Sequence, residues 1–143
     1  MGATAFHGAA YRRYIRRLEQ PSHDGRLVVL RSSGELVGVI NFGQIVRGRL
    51  QSAYVGYYAF TPHAGRGYMT EGLTLALRRA FGPMRLHRVE ANIQPGNEPS
   101  RALARRLGFR REGFSPRYLK IGGRWRDHER WAILTGDWLR RRR

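Results

Sequence analysis

Three strand-like stretches stand in a row in this chain, and after them helix and strand alternate. That order constrains the fold more than any single residue does. Leu27 to Arg31 is a short apolar run, Ser32 to Glu35 a turn, and Leu36 to Phe42 a second strand. Gln51 to Phe60 reads as a third, rich in the Tyr and Val that suit a pleated surface. Tyr68 to Phe81 then carries Leu73, Leu77 and Phe81 at helical spacing, and Gly82-Pro83 stops it. His87 to Ile93 alternates, with Val89, Ala91 and Ile93 on one face and Arg88, Glu90 and Asn92 on the other. Asn97 is a fitting N-cap for a helix with Pro99 in its first turn, Leu103 and Leu107 on one side and Gly108 at its end. Pro116 to Ile121 and Trp125 to Leu134 are strands joined by the hairpin signal Gly122-Gly123. Ahead of all these, Ala9 to Glu19 places Tyr11, Tyr14, Ile15 and Leu18 on one helical face. The expectation is a mixed α/β fold.

At 143 residues the chain has room for a single domain, with residues 1–26 as an N-terminal helix and loop and 139–143 as a basic tail. The run Arg140 to Arg143 reads as frayed. There is no cysteine, which excludes a disulfide scaffold, a cysteine nucleophile and any Cys-ligated metal. His63, His87 and His128 form no metal set by spacing, so no metal is expected. No apolar run is long enough to cross a membrane, and the start lacks a signal-peptide layout, so a cytoplasmic location is expected. The formal charge is +17, which would favour RNA, the ribosome or other polyanions. Lys120 is the only lysine, however, so the excess also reads as the arginine bias of a GC-rich genome.

The segment Phe60 to Glu71 lies between a strand and a helix and contains Gly65-Arg66-Gly67. Glycines let a backbone approach a ligand closely, and N–H groups at a helix start suit phosphate oxygens. It is neither a Walker loop nor a Rossmann fingerprint, and an ordinary strand-to-helix turn would look the same. The second half of the chain adds Asn97-Glu98-Pro99-Ser100-Arg101 and Leu107-Gly108-Phe109-Arg110-Arg111-Glu112-Gly113. With the glycine loop, these strings resemble the GNAT family of acetyl-CoA-dependent N-acyltransferases. Gly-x-Gly-Tyr-Met-Thr-Glu and Ile-Gly-Gly-Arg-Trp-Arg-Asp-His are similar to its ribosomal-protein N-acetyltransferase branch, RimJ and RimL. The resemblance covers about Leu27 to Trp138. Of that family's three defined pyrophosphate-loop positions, occupied here by Ala64, Gly67 and Met69, only Gly67 matches strictly.

The resemblance implies a splayed central sheet flanked by helices, with acetyl-CoA in the split near Phe60 and Glu90. Its pyrophosphate would sit on the loop of Ala64, Gly65, Arg66, Gly67, Tyr68 and Met69, and Asn97 would hold the pantetheine arm. The transfer needs an amine that loses a proton and a thiolate that gains one. Glu90 is the expected base, with an ion pair to a nearby arginine as its plain alternative and Glu71 or water as the competing base. The family's usual tyrosine acid is missing near Ala104, and Ser100 is the implied substitute. Arg105, Arg106, Arg110 and Arg111 could reach the CoA 3′-phosphate, face RNA or simply be solvated. Trp125, Trp131 and Trp138 read as core or cleft wall, and His128 as packing.

The implied acceptor is a protein N-terminus, an Ala or Ser of a ribosomal protein, with the basic surface working beside rRNA. A small-molecule amine is the rival acceptor. A non-catalytic domain binding RNA or a protein partner is the rival of another class. The branch's usual first strand and helix are missing ahead of Tyr11, so the acceptor side is expected to be less complete than the CoA side. The open sheet edge would leave a monomer or a homodimer.

Overall fold

The computed structural model describes residues 21–60 and 67–141. The expected helix Ala9 to Glu19 and the loop residues Ala64, Gly65 and Arg66 lie outside them. The described elements are β1 (Asp24–Val29), β2 (Leu36–Val46), β3 (Ser52–Ala59), α1 (Tyr68–Phe81), β4 (Arg88–Ile93), α2 (Glu98–Leu107), β5 (Arg110–Ile121), β6 (Arg124–Leu134) and α3 (Thr135–Arg141). The strands form one mixed sheet in the order β1-β2-β3-β4-β6-β5.

Every neighbouring pair is antiparallel except β3 and β4, which are joined through α1 and lie parallel. This pairing covers only Ser52↔Arg88, Ala53↔Val89 and Tyr54↔Glu90. Beyond it β3 stays on β2 as far as Gly38↔Ala59, and β4 stays on β6 as far as Ile93↔Glu129. The two halves of the sheet therefore part after Tyr54 and Glu90, which is the splay the resemblance implied.

Alternation along β4 decides which face is covered. Val89, Ala91 and Ile93 are buried, and share one core with Leu73 and Leu77 of α1 and Leu103 and Leu107 of α2. Arg88, Glu90 and Asn92 stand half-buried on the other face. Helices α1 and α2 thus pack on one side of the split and fix where their N-termini end up.

Four boundaries differ from the sequence expectation. Strand β1 starts at Asp24, inside the stretch assigned to helix and loop, because the Asp24 carboxylate accepts two hydrogen bonds from Arg79 of α1, at 3.0 and 3.1 Å. β2 runs on to Val46 across an irregularity after Gly43. β5 begins at Arg110 rather than Pro116. It is the terminal strand of the sheet, where a proline costs no ladder bond, and its register shifts between Ser115 and Leu119 absorb the irregularity.

The last difference is α3, where a frayed basic tail was expected. The tail is helical through Arg141 because Trp138 is 4% exposed and its ring sits 6.2 Å from that of Phe81. Asp137 also accepts from Arg140 and, at 3.3 Å, from Arg110. A buried Trp truncated to Ala typically costs about 3–5 kcal/mol. Trp138→Ala should therefore lower the unfolding free energy by about 3 kcal/mol or more in urea titrations. A loss below about 1 kcal/mol would mean that α3 is not anchored this way.

Candidate active site

The two helix starts meet at one cavity of about 430 Å³, at the open end of the split. From α1 come Gly67, Tyr68, Met69 and Thr70; from α2 and its cap come Asn97, Pro99, Ser100, Leu103 and Arg106; from β3 come Tyr57, Tyr58 and Ala59. Gly67 caps α1 at φ +79°, a left-handed conformation that other residues adopt only under strain. Beneath Met69, a Cβ on Gly38 would come within 2.9 Å of its sulfur and 2.5 Å of the Tyr58 carbonyl, so glycine is required there. A helix start presents N–H groups without intrahelical partners and favours negative charge.

Asn97 caps α2, and its Oδ1 accepts from the Ser100 N–H at 3.2 Å. The amide nitrogen of Asn97 is left as the end that can donate outward. Ser100 Oγ lies 2.6 Å from the Tyr57 hydroxyl. Burial pushes the Tyr57 phenol above its ordinary value, against a smaller opposing effect of the Ser100 bond. Arg106 donates to Thr70 Oγ1 at 2.9 Å, tying α2 to the first turn of α1 and setting a guanidinium on the cavity wall. Its three companions are engaged elsewhere. Arg105 lies over the Trp131 ring, Arg110 pairs with Asp137, and Arg111 pairs with Glu129 at 3.3 Å.

Of the residues expected in the site, Gly67, Tyr68, Met69, Asn97 and Ser100 come together around this cavity. Phe60 is buried beside it and does not line it. Glu90 lies on the other face of the sheet, at the last rung before the split. Its Oε1 accepts from Arg88 Nε at 2.8 Å, and Arg88 also holds Glu112, with Nη1 donating at 3.0 Å. The ion pair offered as the plain alternative for Glu90 is therefore present. Across the same rung stands Tyr54, pushed up to about 12 by its hydrogen bond with Tyr118, by burial and by the nearby Glu90 carboxylate. Glu71 is exposed and does not line the cavity.

His128 is buried and bonded through Nδ1 to the Arg126 carbonyl at 2.9 Å, a packing role. Trp131 and Trp138 are core. Trp125 is exposed and lines a larger, more open cavity of about 680 Å³ with Gln94 to Asn97, Arg126 and Asp127. Among the described residues no three His, Asp or Glu side chains gather as metal ligands would.

Sequence reasoning missed Tyr57 and Glu129. The alternation of Ala53, Val55 and Tyr57 puts a polar-tipped ring on the buried face just before the glycine loop, a signal that could have found the first. Glu129 is 5% exposed, and its Oε1 accepts from Trp131 Nε1 at 3.0 Å and from Arg101 Nε at 2.9 Å. Those bonds fasten Ser100's neighbour to β6. Burial alone would raise the Glu129 carboxyl, but the bonds from Trp131 and Arg101 and the charges of Arg101 and Arg111 hold it below its ordinary value.

The Acetyltransferase (GNAT) domain family matches residues 4–110. This chain belongs to the GNAT acetyltransferases. Among its GNAT relatives, the [Ribosomal protein uS5]-alanine N-acetyltransferase of Escherichia coli (strain K12) is 43% identical over 104 residues, 73% of this chain and 54% of that protein. The Probable N-acetyltransferase YjcK of Bacillus subtilis (strain 168) is 38% identical over 124 residues, 87% of this chain and 68% of that one. Among solved GNAT structures, Mycobacterium smegmatis RimJ in complex with CoA-disulfide superposes with a TM-score of 0.70 at 42% identity, over 72% of this chain and 49% of that one. The chain thus spans about half to two-thirds of the length of these relatives.

The carboxylates of this GNAT domain also set its acid stability. Glu129, Asp24 and Glu112 all have lowered values. A carboxyl lowered on folding contributes stability that is complete above its unfolded value, about 4.3 for Glu. That stability is lost as pH falls through the folded value. The melting temperature should hold above about pH 5 and fall steeply below about pH 4. Glu129→Gln should lower it at neutral pH and flatten the acid limb. An acid limb as steep as that of the parent protein would show that Glu129 is not part of this linkage.

Proposed function

We infer that this chain is an acetyl-CoA-dependent N-acetyltransferase acting on a protein N-terminus, with an N-terminal Ala or Ser of a ribosomal protein as its first candidate. The observation that carries the reading is the convergence of two helix starts, Gly67 to Thr70 and Asn97 to Ser100, on one cavity at the open end of the split. Gly67, the first turn of α1 and Arg106 suit a pyrophosphate. Met69, Ala59 and Leu103 offer apolar wall to the pantetheine arm, and the amide of Asn97 offers it a donor. The 43% identity to the uS5-alanine N-acetyltransferase supports the acceptor class. The +17 charge suits work beside ribosomal RNA, and a cytoplasmic location goes with such a substrate. No helix among the described residues is long and apolar enough to cross a membrane.

The residues divide the reaction between the two faces of the sheet. Glu90, at the last paired rung, faces away from α1 and α2 and is placed to take the proton from an amine entering on that side. Ser100, on the helix side, is placed to give a proton to the departing sulfur. The split aligns the two substrates for direct attack, with no covalent enzyme intermediate.

The test is to incubate the protein with acetyl-CoA and with peptides beginning in Ala or Ser, alongside small amines such as a polyamine, and weigh the products by mass spectrometry. Acetylation of the peptide α-amine is the expected result. Turnover of the small amine alone would overturn the acceptor assignment. Glu90→Gln should lower kcat by about 10²-fold with little change in KM for acetyl-CoA. Unchanged turnover would move the base to water or Glu71.

A further inference from the structure

The Tyr57 hydroxyl and Ser100 Oγ form the short contact on the helix side of the cavity, and both residues line it. We propose that Tyr57 is a positioning residue for Ser100: it donates its hydroxyl proton to Oγ and so turns the serine's own proton into the cavity, toward the sulfur of the leaving thiol. This rests on the acetyl-transfer reading above.

Either hydroxyl could donate in an isolated Tyr–Ser pair. The surroundings choose the direction. Ser100's N–H is held by the Asn97 cap, so the serine sits in a fixed place on the first turn of α2. Among the described residues, the other acceptor recorded for the phenol is the Ser100 carbonyl at 3.5 Å, at the outer limit for a hydrogen bond, against 2.6 Å to Oγ. The ring of Tyr57 packs against the core, and burial raises the phenol, which keeps it a neutral O–H donor at neutral pH. A serine is a weak acid by itself. A hydrogen bond donated to its oxygen stabilises the negative charge that builds there as its proton leaves.

The step balances without another reactant. The amine nitrogen bonds to the acetyl carbon, and the carbon–sulfur bond breaks with its electron pair leaving on sulfur. Ser100 passes its proton to that sulfur as the Tyr57 phenol, the stronger acid of the two, passes its own proton to Oγ. The proton that the amine yields to Glu90 returns through solvent to Tyr57.

The experiment compares the full chain with Tyr57→Phe, Ser100→Ala and the double variant. Calorimetric affinity for acetyl-CoA should stay within about twofold in Tyr57→Phe, since the ring is kept. Its kcat should fall about tenfold or more, with KM for acetyl-CoA little changed. The double variant should be no slower than Ser100→Ala, because the tyrosine acts only through the serine. A second variant keeps the native hydroxyl: 3,5-difluorotyrosine at position 57, whose phenol ionises at lower pH. Activity needs this phenol protonated, so it is lost as pH rises through the phenol's value. The alkaline limb of kcat should therefore move to lower pH. A purely structural tyrosine would leave that limb in place and would add its loss to that of Ser100→Ala.

Wild-type kcat in Tyr57→Phe, an additive double variant or an unmoved alkaline limb would each overturn the proposal alone. Wild-type protein that binds acetyl-CoA but acetylates no amine would overturn the acetyl-transfer reading, and the proposal with it.

Discussion

The structure depends on the place where β3 and β4 stop hydrogen-bonding to each other. Parallel neighbours normally continue as a ladder, and unpaired backbone groups inside a sheet are costly. Here the ladder ends after three rungs because each strand is held by a different partner, β3 by β2 and β4 by β6. The gap leaves backbone N–H and C=O groups of both strands at the open end, where an extended polar ligand can pair with them. The same divergence sets the helices. α1 follows β3 and α2 follows β4, so their N-termini arrive on one side of the opening rather than at separate places.

The second organising force is charge. Ten acidic residues serve 27 basic ones, so carboxylates are shared. Asp24 holds Arg26 and Arg79, Glu129 holds Arg101 and Arg111, and Asp137 holds Arg110 and Arg140. Arg88 reverses the pattern by joining Glu90 and Glu112. Exposed pairs of this kind contribute little to stability, but Glu129 is buried and fully bonded, and its loss would take this acceptor from Arg111 and the Trp131 indole and leave Arg101 with its exposed partner Glu98. It fixes the first turn of α2, on which Ser100 and the Asn97 cap depend. Among the described residues, Arg106, left outside these pairs, is the cation that lines the cavity.

What was legible in the sequence was local. The N-cap Asn97 with Pro99, the closing Gly108 and the alternation of β4 announce themselves over a few residues, and helix α1 keeps the bounds its periodicity predicted. The glycine loop and the Asn97 to Arg101 string pointed to the family before any coordinates. Long-range partners were not legible. Tyr57 meets Ser100 across 43 positions, Arg106 meets Thr70 across 36 and Arg101 meets Glu129 across 28. No local pattern encodes such pairs. The arginine cluster could not be sorted locally for that reason: one of its four members, Arg106, reaches the cavity, and the rest pair or stack elsewhere. The helical tail was missed because four successive arginines read as a solvated end, although Trp138 just before them reads as core or cleft wall.

Amide hydrogen exchange of the protein with and without saturating acetyl-CoA tests the central claim most directly. If the two helix starts together form the acetyl-CoA site, as proposed, ligand should slow exchange in two separate segments, around Met69 to Thr70 and around Asn97 to Ser100. Protection confined to one segment, or found elsewhere on a protein that binds the ligand, would contradict the account.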